Sequence, residues 1–126
     1  MRRIGFWAAV AATIIAGGTA GTALADGDPA AGQMVFKKCA VCHSIDAGVN
    51  KVGPSLHGII GRKSATAPGY DYSAAMKGAN KEWTAKELDT YLTDPRAVVP
   101  GTKMVFVGLK DQKDRDNVIA YLATLK

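Results

Sequence analysis

The chain opens with an apolar run, Ile4 to Ile15, behind Arg2 and Arg3, and small residues follow it to Ala23-Leu24-Ala25. A basic flank, a short apolar stretch and an A-x-A site have the order of an export signal. The expectation is therefore a cleaved segment over 1–25 and a single mature domain over 26–126. Gly17-Gly18 breaks the run before it reaches a comfortable membrane-spanning length, although an uncleaved anchor is the alternative. No second apolar run follows, so the mature chain reads as soluble and exported.

The mature part has a helical pattern at both ends. Asp28 can cap, Pro29 suits a first helical position, and Gly32, Phe36 and Cys39 recur at i, i+4 and i+7, which predicts a helix within 26–38. Glycine inside a helix costs about 1 kcal/mol relative to alanine, so Gly32 points to a close approach by another backbone. The last stretch mirrors the first. Asp111 can cap, Asp114 follows three residues on, and Val118, Leu122 and Leu125 repeat the spacing. These two terminal helices are expected to pack on each other.

A third helix is predicted over 84–93, where Thr84 and Glu87 form a capping box, Leu88, Tyr91 and Leu92 share a face, and Pro95 ends the run. From Ile45 to Lys81 there is no long periodicity, and the glycines with Pro54 and Pro68 read as turns. So long a loop region in so small a domain predicts an organiser other than side-chain packing.

Cys39 and Cys42 are the only cysteines, and His43 follows directly in Cys39-Ala40-Val41-Cys42-His43. C-x-x-C-H is the attachment pattern of a c-type haem. Two thiols three residues apart can add across the two vinyl groups of one porphyrin, and the adjacent imidazole then points at the iron. A disulfide or thioredoxin-like pair is a rival, but no βαβ pattern surrounds it. Zinc is the other, through Cys39, Cys42, His43 and His57; against it, the usual H-x₃₋₅-H half is missing.

The second axial position separates an electron carrier, with a filled site, from a peroxidase-like or gas-sensing haem with an open one. The mature chain offers Met34, Met76, Met104 and His57. Met34, within the first helix, reads as packing, and Met76 lies in a polar, glycine-flanked stretch. Met104 follows Val99-Pro100-Gly101-Thr102-Lys103, a turn rigid enough to present a thioether. His57 reads as a loop histidine near the surface.

Composition narrows the field further. At 126 residues, 48% hydrophobic and 21% charged, the chain is ordinarily globular, which excludes disorder, repeat arrays and a multi-domain machine. The net charge is +5, and removing Arg2 and Arg3 leaves 14 basic against 11 acidic residues, a net of +3. That mild surplus suits docking to an acidic protein surface and, without a binding motif, argues against nucleic acid. Lys37, Lys38, Lys51, Lys103 and Lys110 lie close in sequence to the two ligand motifs.

Taken in order, Gly32, Phe36, Cys39-x-x-Cys42-His43, Gly53-Pro54-Ser55-Leu56, Gly61-Arg62-Lys63 and Gly69-Tyr70-x-Tyr72 make the mature chain recognisable. Trp83-Thr84, Tyr91-Leu92, Asp94-Pro95, Pro100-Gly101-Thr102-Lys103-Met104 and Tyr121-Leu122 continue the pattern. The chain resembles the class I c-type cytochromes, particularly the branch of mitochondrial cytochrome c and bacterial cytochrome c2. The resemblance covers nearly all of residues 27–126.

It implies an all-α, small class I cytochrome c fold, with crossing terminal helices and loops wrapped around one covalent haem c. Cys39 and Cys42 would form the thioethers, and His43 and Met104 would be the axial ligands. The Pro54 carbonyl would accept from His43, and Arg62, Tyr72 and Trp83 would hydrogen-bond the propionates. Tyr91 and Thr102 would line the methionine side, while Gly32 and Phe36 would meet Tyr121 and Leu122 at the helix crossing. The implied function is a soluble, monomeric, periplasmic one-electron carrier rather than an enzyme. It would work through a lysine-rich haem edge, between a bc1-type donor and an oxidase, reaction-centre or peroxidase acceptor. Met76 departs from the mitochondrial pattern, which has asparagine there, and Arg96 with Val98-Val99 replaces a more basic and aromatic stretch.

Overall fold

The computed structural model describes residues 27–126 and the isolated Gly17; the expected export signal and its cleavage site otherwise lie outside the described residues. Among the described residues five helices follow in order: α1 (Pro29–Phe36), α2 (Ala74–Lys77), α3 (Ala85–Thr93), α4 (Pro95–Val98) and α5 (Gln112–Leu122). No strand occurs among the described residues, only one antiparallel bridge between Lys63 and Glu82. The fold is all-α, as the resemblance implies.

Each long helix begins where a capping residue stands. Asp28 accepts from the Ala30 N–H, Thr84 from Glu87 and Asp111 from Lys113, which satisfies amide groups that the first helical turn leaves unpaired. Pro95 ends α3, but it also opens α4, because the Asp94 side chain caps that short helix through the Ala97 N–H. The sequence pattern showed the stop and missed the restart. It also missed α2, a single turn capped by Ser73 and too short to produce a periodicity.

α1 and α5 cross at Gly32. A Cβ built there would lie 1.9 Å from the Asn117 carbonyl oxygen, so only glycine allows the two backbones this close. Asn117, itself buried, accepts from the Asp28 N–H at 2.9 Å and fixes the start of α1 on α5. Phe36 and Tyr121 close the crossing with ring centroids 5.4 Å apart, an ordinary attractive aromatic geometry. Val118 and Ile119 of α5 are almost completely buried, and α3 packs on the same helix. Met34, expected to pack, is instead 62% exposed, because it lies on the face of α1 opposite Gly32 and Phe36.

The region from Ile45 to Lys81 is held by side chains bonded to loop backbone. The Asn50 amide donates to the Pro68 carbonyl and accepts from the Ser55 N–H. The Tyr70 hydroxyl donates to Val52, and the Ala67 N–H donates to the Tyr72 hydroxyl. Backbone bonds from Gly61 to Trp83, Trp83 to Arg62 and Ser64 to Lys81 tie the other edge. Each loop is thereby fixed without a core of its own, and both curve around one interior space.

Candidate functional site

That space is a cavity of about 660 Å³, in the range of sites that hold small organic molecules or cofactors. Its walls are largely core side chains, among them Leu56, Ile59, Leu88, Leu92, Val118 and Leu122. Apolar walls around a space of that size form a binding site, and an occupant of matching size would shield them from water.

Cys39, Cys42 and His43 line the cavity from the turns that follow α1. The Cys39, Ala40, Cys42 and His43 amides donate to Phe36 and Cys39 carbonyls at 2.7–3.0 Å, so the motif is wound in continuation of the helix. Both thiols are free and half-buried. Burial pushes the Cys39 thiol up to about 11, with Lys38 opposing and Cys42 adding to the shift.

The His43 ring is pressed against Gly53, where a Cβ would lie 2.5 Å from Cε1. Its Nδ1 lies 2.7 Å from the Pro54 carbonyl oxygen. A carbonyl only accepts, so Nδ1 carries the proton and Nε2 keeps its lone pair, the form in which imidazole binds a metal. Burial lowers the His43 pKa most; the bond to Pro54 opposes this, while Arg62 and Lys51 add to it. All of these except the Pro54 bond favour the neutral ring.

Met104 lines the same cavity. The Gly101 turn has φ of +88°, a conformation that suits glycine. Thr102 then accepts from the Met104 N–H through its hydroxyl at 3.2 Å. The Tyr91 hydroxyl donates to the Met104 sulfur at 3.5 Å. Tyr91 is buried, which pushes its pKa up, with the bond to Thr102 opposing. Trp83 packs against Tyr91 with the rings tilted by 47° and their centroids 4.8 Å apart. Met76 lines the wall as well, whereas Met34 does not.

Arg62 supplies the test of what fits. Its guanidinium lines the cavity and donates to the Ser55 and His57 carbonyls at 2.9 and 3.2 Å. Burial pushes its pKa down, yet no carboxylate pairs with it among the described residues. A half-buried cation with only neutral partners calls for an anion from the occupant. Tyr72 and Trp83, also on the wall, border the same region. A largely apolar group with acidic substituents, two positions reactive to thiols and a metal satisfies these residues together.

The rival readings fare worse. Among the described residues no three His, Cys, Asp or Glu side chains come together as a metal set, so Cys39, Cys42, His43 and His57 do not converge on zinc. His57 is absent from the cavity wall, with Nδ1 lying 3.1 Å from the Ile45 carbonyl oxygen. The lysines divide. Lys38 and Lys103 line the cavity mouth, whereas Lys37, Lys51 and Lys110 do not. Lys51 bonds the Ala40 carbonyl, Lys110 bonds Thr93, and Lys103 is shared with Asp71. Asn50 has no counterpart in the sequence reading, because an asparagine between glycines carries only a turn signal.

A small helical domain wrapped around such an occupant is of the c-type haem class. The chain matches the cytochrome c family over residues 29–126 and belongs to it, within the class I cytochromes of the c2 branch. It is 50% identical over 104 residues to "Cytochrome c2" of Rhodomicrobium vannielii, covering 82% of this chain and 83% of that one. It is 50% identical over 101 residues to "Cytochrome c2" of Rhodoblastus acidophilus, covering 79% and 94%. The solved structure of cytochrome cH from Methylobacterium extorquens superposes with a TM-score of 0.74 at 45% identity, covering 78% of this chain and 99% of that one. The protein is thus a haem-binding electron carrier, not an enzyme, and its cofactor is covalently bound haem c with iron.

Proposed function

We propose that the protein is a soluble periplasmic one-electron carrier, exported with removal of residues 1–25, that shuttles electrons as a monomer between membrane redox complexes. The observation that carries this reading is the placement of Cys39, Cys42, His43 and Met104 on one cavity, with His43 held in its metal-binding form by Pro54. Cys39 and Cys42 hold the haem through thioethers, and His43 and Met104 ligate its iron. Arg62, Tyr72 and Trp83 hold the propionates. When bound, the haem supplies the one-electron couple.

The protein's part is electrostatic and geometric. Pro54 fixes the imidazole plane, and Tyr91 and Thr102 fix the thioether, so the ligand set changes little between the two charge states. Apolar walls penalise the additional charge of the oxidised form, and the Tyr91 hydroxyl withdraws electron density from the sulfur. Both favour the reduced form and raise the potential.

Donor and acceptor meet the cavity mouth beside Lys38 and Lys103. A bc1-type complex suits the donor, and an oxidase, reaction centre or peroxidase suits the acceptor, in a respiratory or photosynthetic chain. Two tests apply. Absorbance that survives acid-acetone extraction, with no carbon monoxide binding to the reduced form, supports the carrier; carbon monoxide binding would favour an open, peroxidase-like or gas-sensing site. Reduction by an acidic partner should slow as ionic strength rises, and a flat profile would remove the lysine docking surface.

A further inference from the structure

The segment that presents Met104 is fastened mainly at its ends. Between Lys103 and Gly108 no backbone group makes a hydrogen bond to another backbone group among the described residues. Exposure alternates instead: Val105 is 85% and Val107 68% exposed, while Met104 and Phe106 are half-buried. With period-two alternation, sliding by one residue would turn Val105 inward and Met104 out. The thioether therefore depends on whatever fixes the register.

The fixed point is Leu109. Its N–H donates to the Leu92 carbonyl at 2.7 Å, and its own carbonyl accepts from Arg115 Nη1 at 2.7 Å. Gly108, at φ +106°, lies so close to Thr93 that a Cβ would meet the carbonyl oxygen at 2.2 Å. Arg115 is buried on α5 and uses all three nitrogens: Nε donates to Asp89 at 2.9 Å and Nη2 to Gln112 at 2.7 Å. A planar fork held on both flanks has one orientation, and the Leu109 carbonyl is its remaining partner.

We infer that Arg115 is a positioning residue for Met104, setting the register of residues 103–108 by holding the Leu109 carbonyl between α3 and α5. This rests on Met104 being the iron ligand. Losing a charged hydrogen bond at the end of a segment that lacks backbone–backbone bonds of its own should raise the population of its detached form about tenfold or more.

The experiment is urea titration of the ferric holoprotein, following the iron–sulfur charge-transfer absorption and far-UV circular dichroism in the same samples. Arg115→Gln should lose the absorption at distinctly lower urea than it loses helicity. Arg115→Lys, which keeps the charge without the fork, should recover part of the gap. Gly32→Ala, which weakens the helix crossing without touching the segment, should move both signals together. Should Arg115→Gln not yield folded holoprotein, Gln112→Ala, which frees one flank of the fork, should show the same separation at smaller size. Coincident loss of the two signals in the Arg115 and Gln112 variants would overturn the inference alone. No such absorption in the unmutated protein would overturn the Met104 assignment and this inference with it.

Discussion

Gly53→Ala places a methyl group against the His43 ring. The added carbon would lie 2.5 Å from Cε1, 2.8 Å from Nδ1 and 3.0 Å from Nε2, whereas ordinary contact begins at 3.4 Å, a shortfall of about 0.9 Å. The ring has little freedom to yield, being tied to Pro54 and joined to Cys42 through the main chain. The Gly53 backbone must then retreat, which strains its N–H bond to Cys42 at 2.8 Å and the Lys51 bond to its carbonyl at 2.9 Å.

Overpacking of this kind costs about 1–3 kcal/mol, and weakening one backbone bond adds about 1 kcal/mol. The gain from a less flexible unfolded chain offsets about 0.4–1 kcal/mol. The net expectation is about 2 kcal/mol, or roughly 8–16 °C in Tm for a domain of this size. Urea and thermal unfolding of the holoprotein measure it. Gly78→Ala is the control, since its nearest contact would be an ordinary 3.5 Å, and it should be nearly neutral. A Gly53→Ala protein within about 0.5 kcal/mol of the parent, with an unchanged spectrum, would refute the claim that Gly53 buttresses the imidazole.

Three further outcomes follow from the same geometry. Gly32→Ala must separate α1 from α5 against a 1.9 Å contact; it should destabilise by at least about 2 kcal/mol despite a helix-propensity gain of about 1 kcal/mol, measured by urea unfolding. Tyr91→Phe removes the donor to the Met104 sulfur and should lower the midpoint potential by about 20–60 mV, equivalent to about 0.5–1.4 kcal/mol, by redox titration. The His43 pKa is lowered in the fold from its ordinary 6.5, so the unfolded chain binds more protons below that value. Iron at Nε2 would compete with the same proton and act in the same direction, so the His43 contribution is full above pH 6.5 and is lost progressively below it; urea midpoints of the holoprotein measured from pH 8 to 5 should decline over the acidic half.

Where the sequence was legible, a local signal coincided with the tertiary result. Asp28 with Pro29, Thr84 with Glu87, and Asp111 each mark a cap that the structure uses. Gly32 was readable as a close approach because glycine there contradicts helix propensity. Cys39-x-x-Cys42-His43 needs no tertiary information, since three residues of helical turn bring the groups together. The roles proposed for Pro54, Arg62 and Tyr91 are implied by resemblance rather than periodicity, and all three residues line the cavity.

What stayed hidden was non-local. Asn50 reaches 18 residues to Pro68, and Arg115 reaches Asp89 across 26. Neither has a spacing that betrays its partner. Met34 shows the converse failure, an apolar residue in a helix that the fold leaves exposed. The five lysines looked alike by proximity, yet only Lys38 and Lys103 reach the cavity mouth.

Iron held between His43 and Met104, in a haem joined to Cys39 and Cys42, is the claim on which the account depends. The most direct measurement is the absorption spectrum of the purified ferric holoprotein beside that of Met104→Ala. The account predicts an iron–sulfur charge-transfer band in the parent and none in the variant, with haem covalently attached in both. A band that persists in Met104→Ala, or a parent that lacks it, would contradict the ligation on which the carrier function rests.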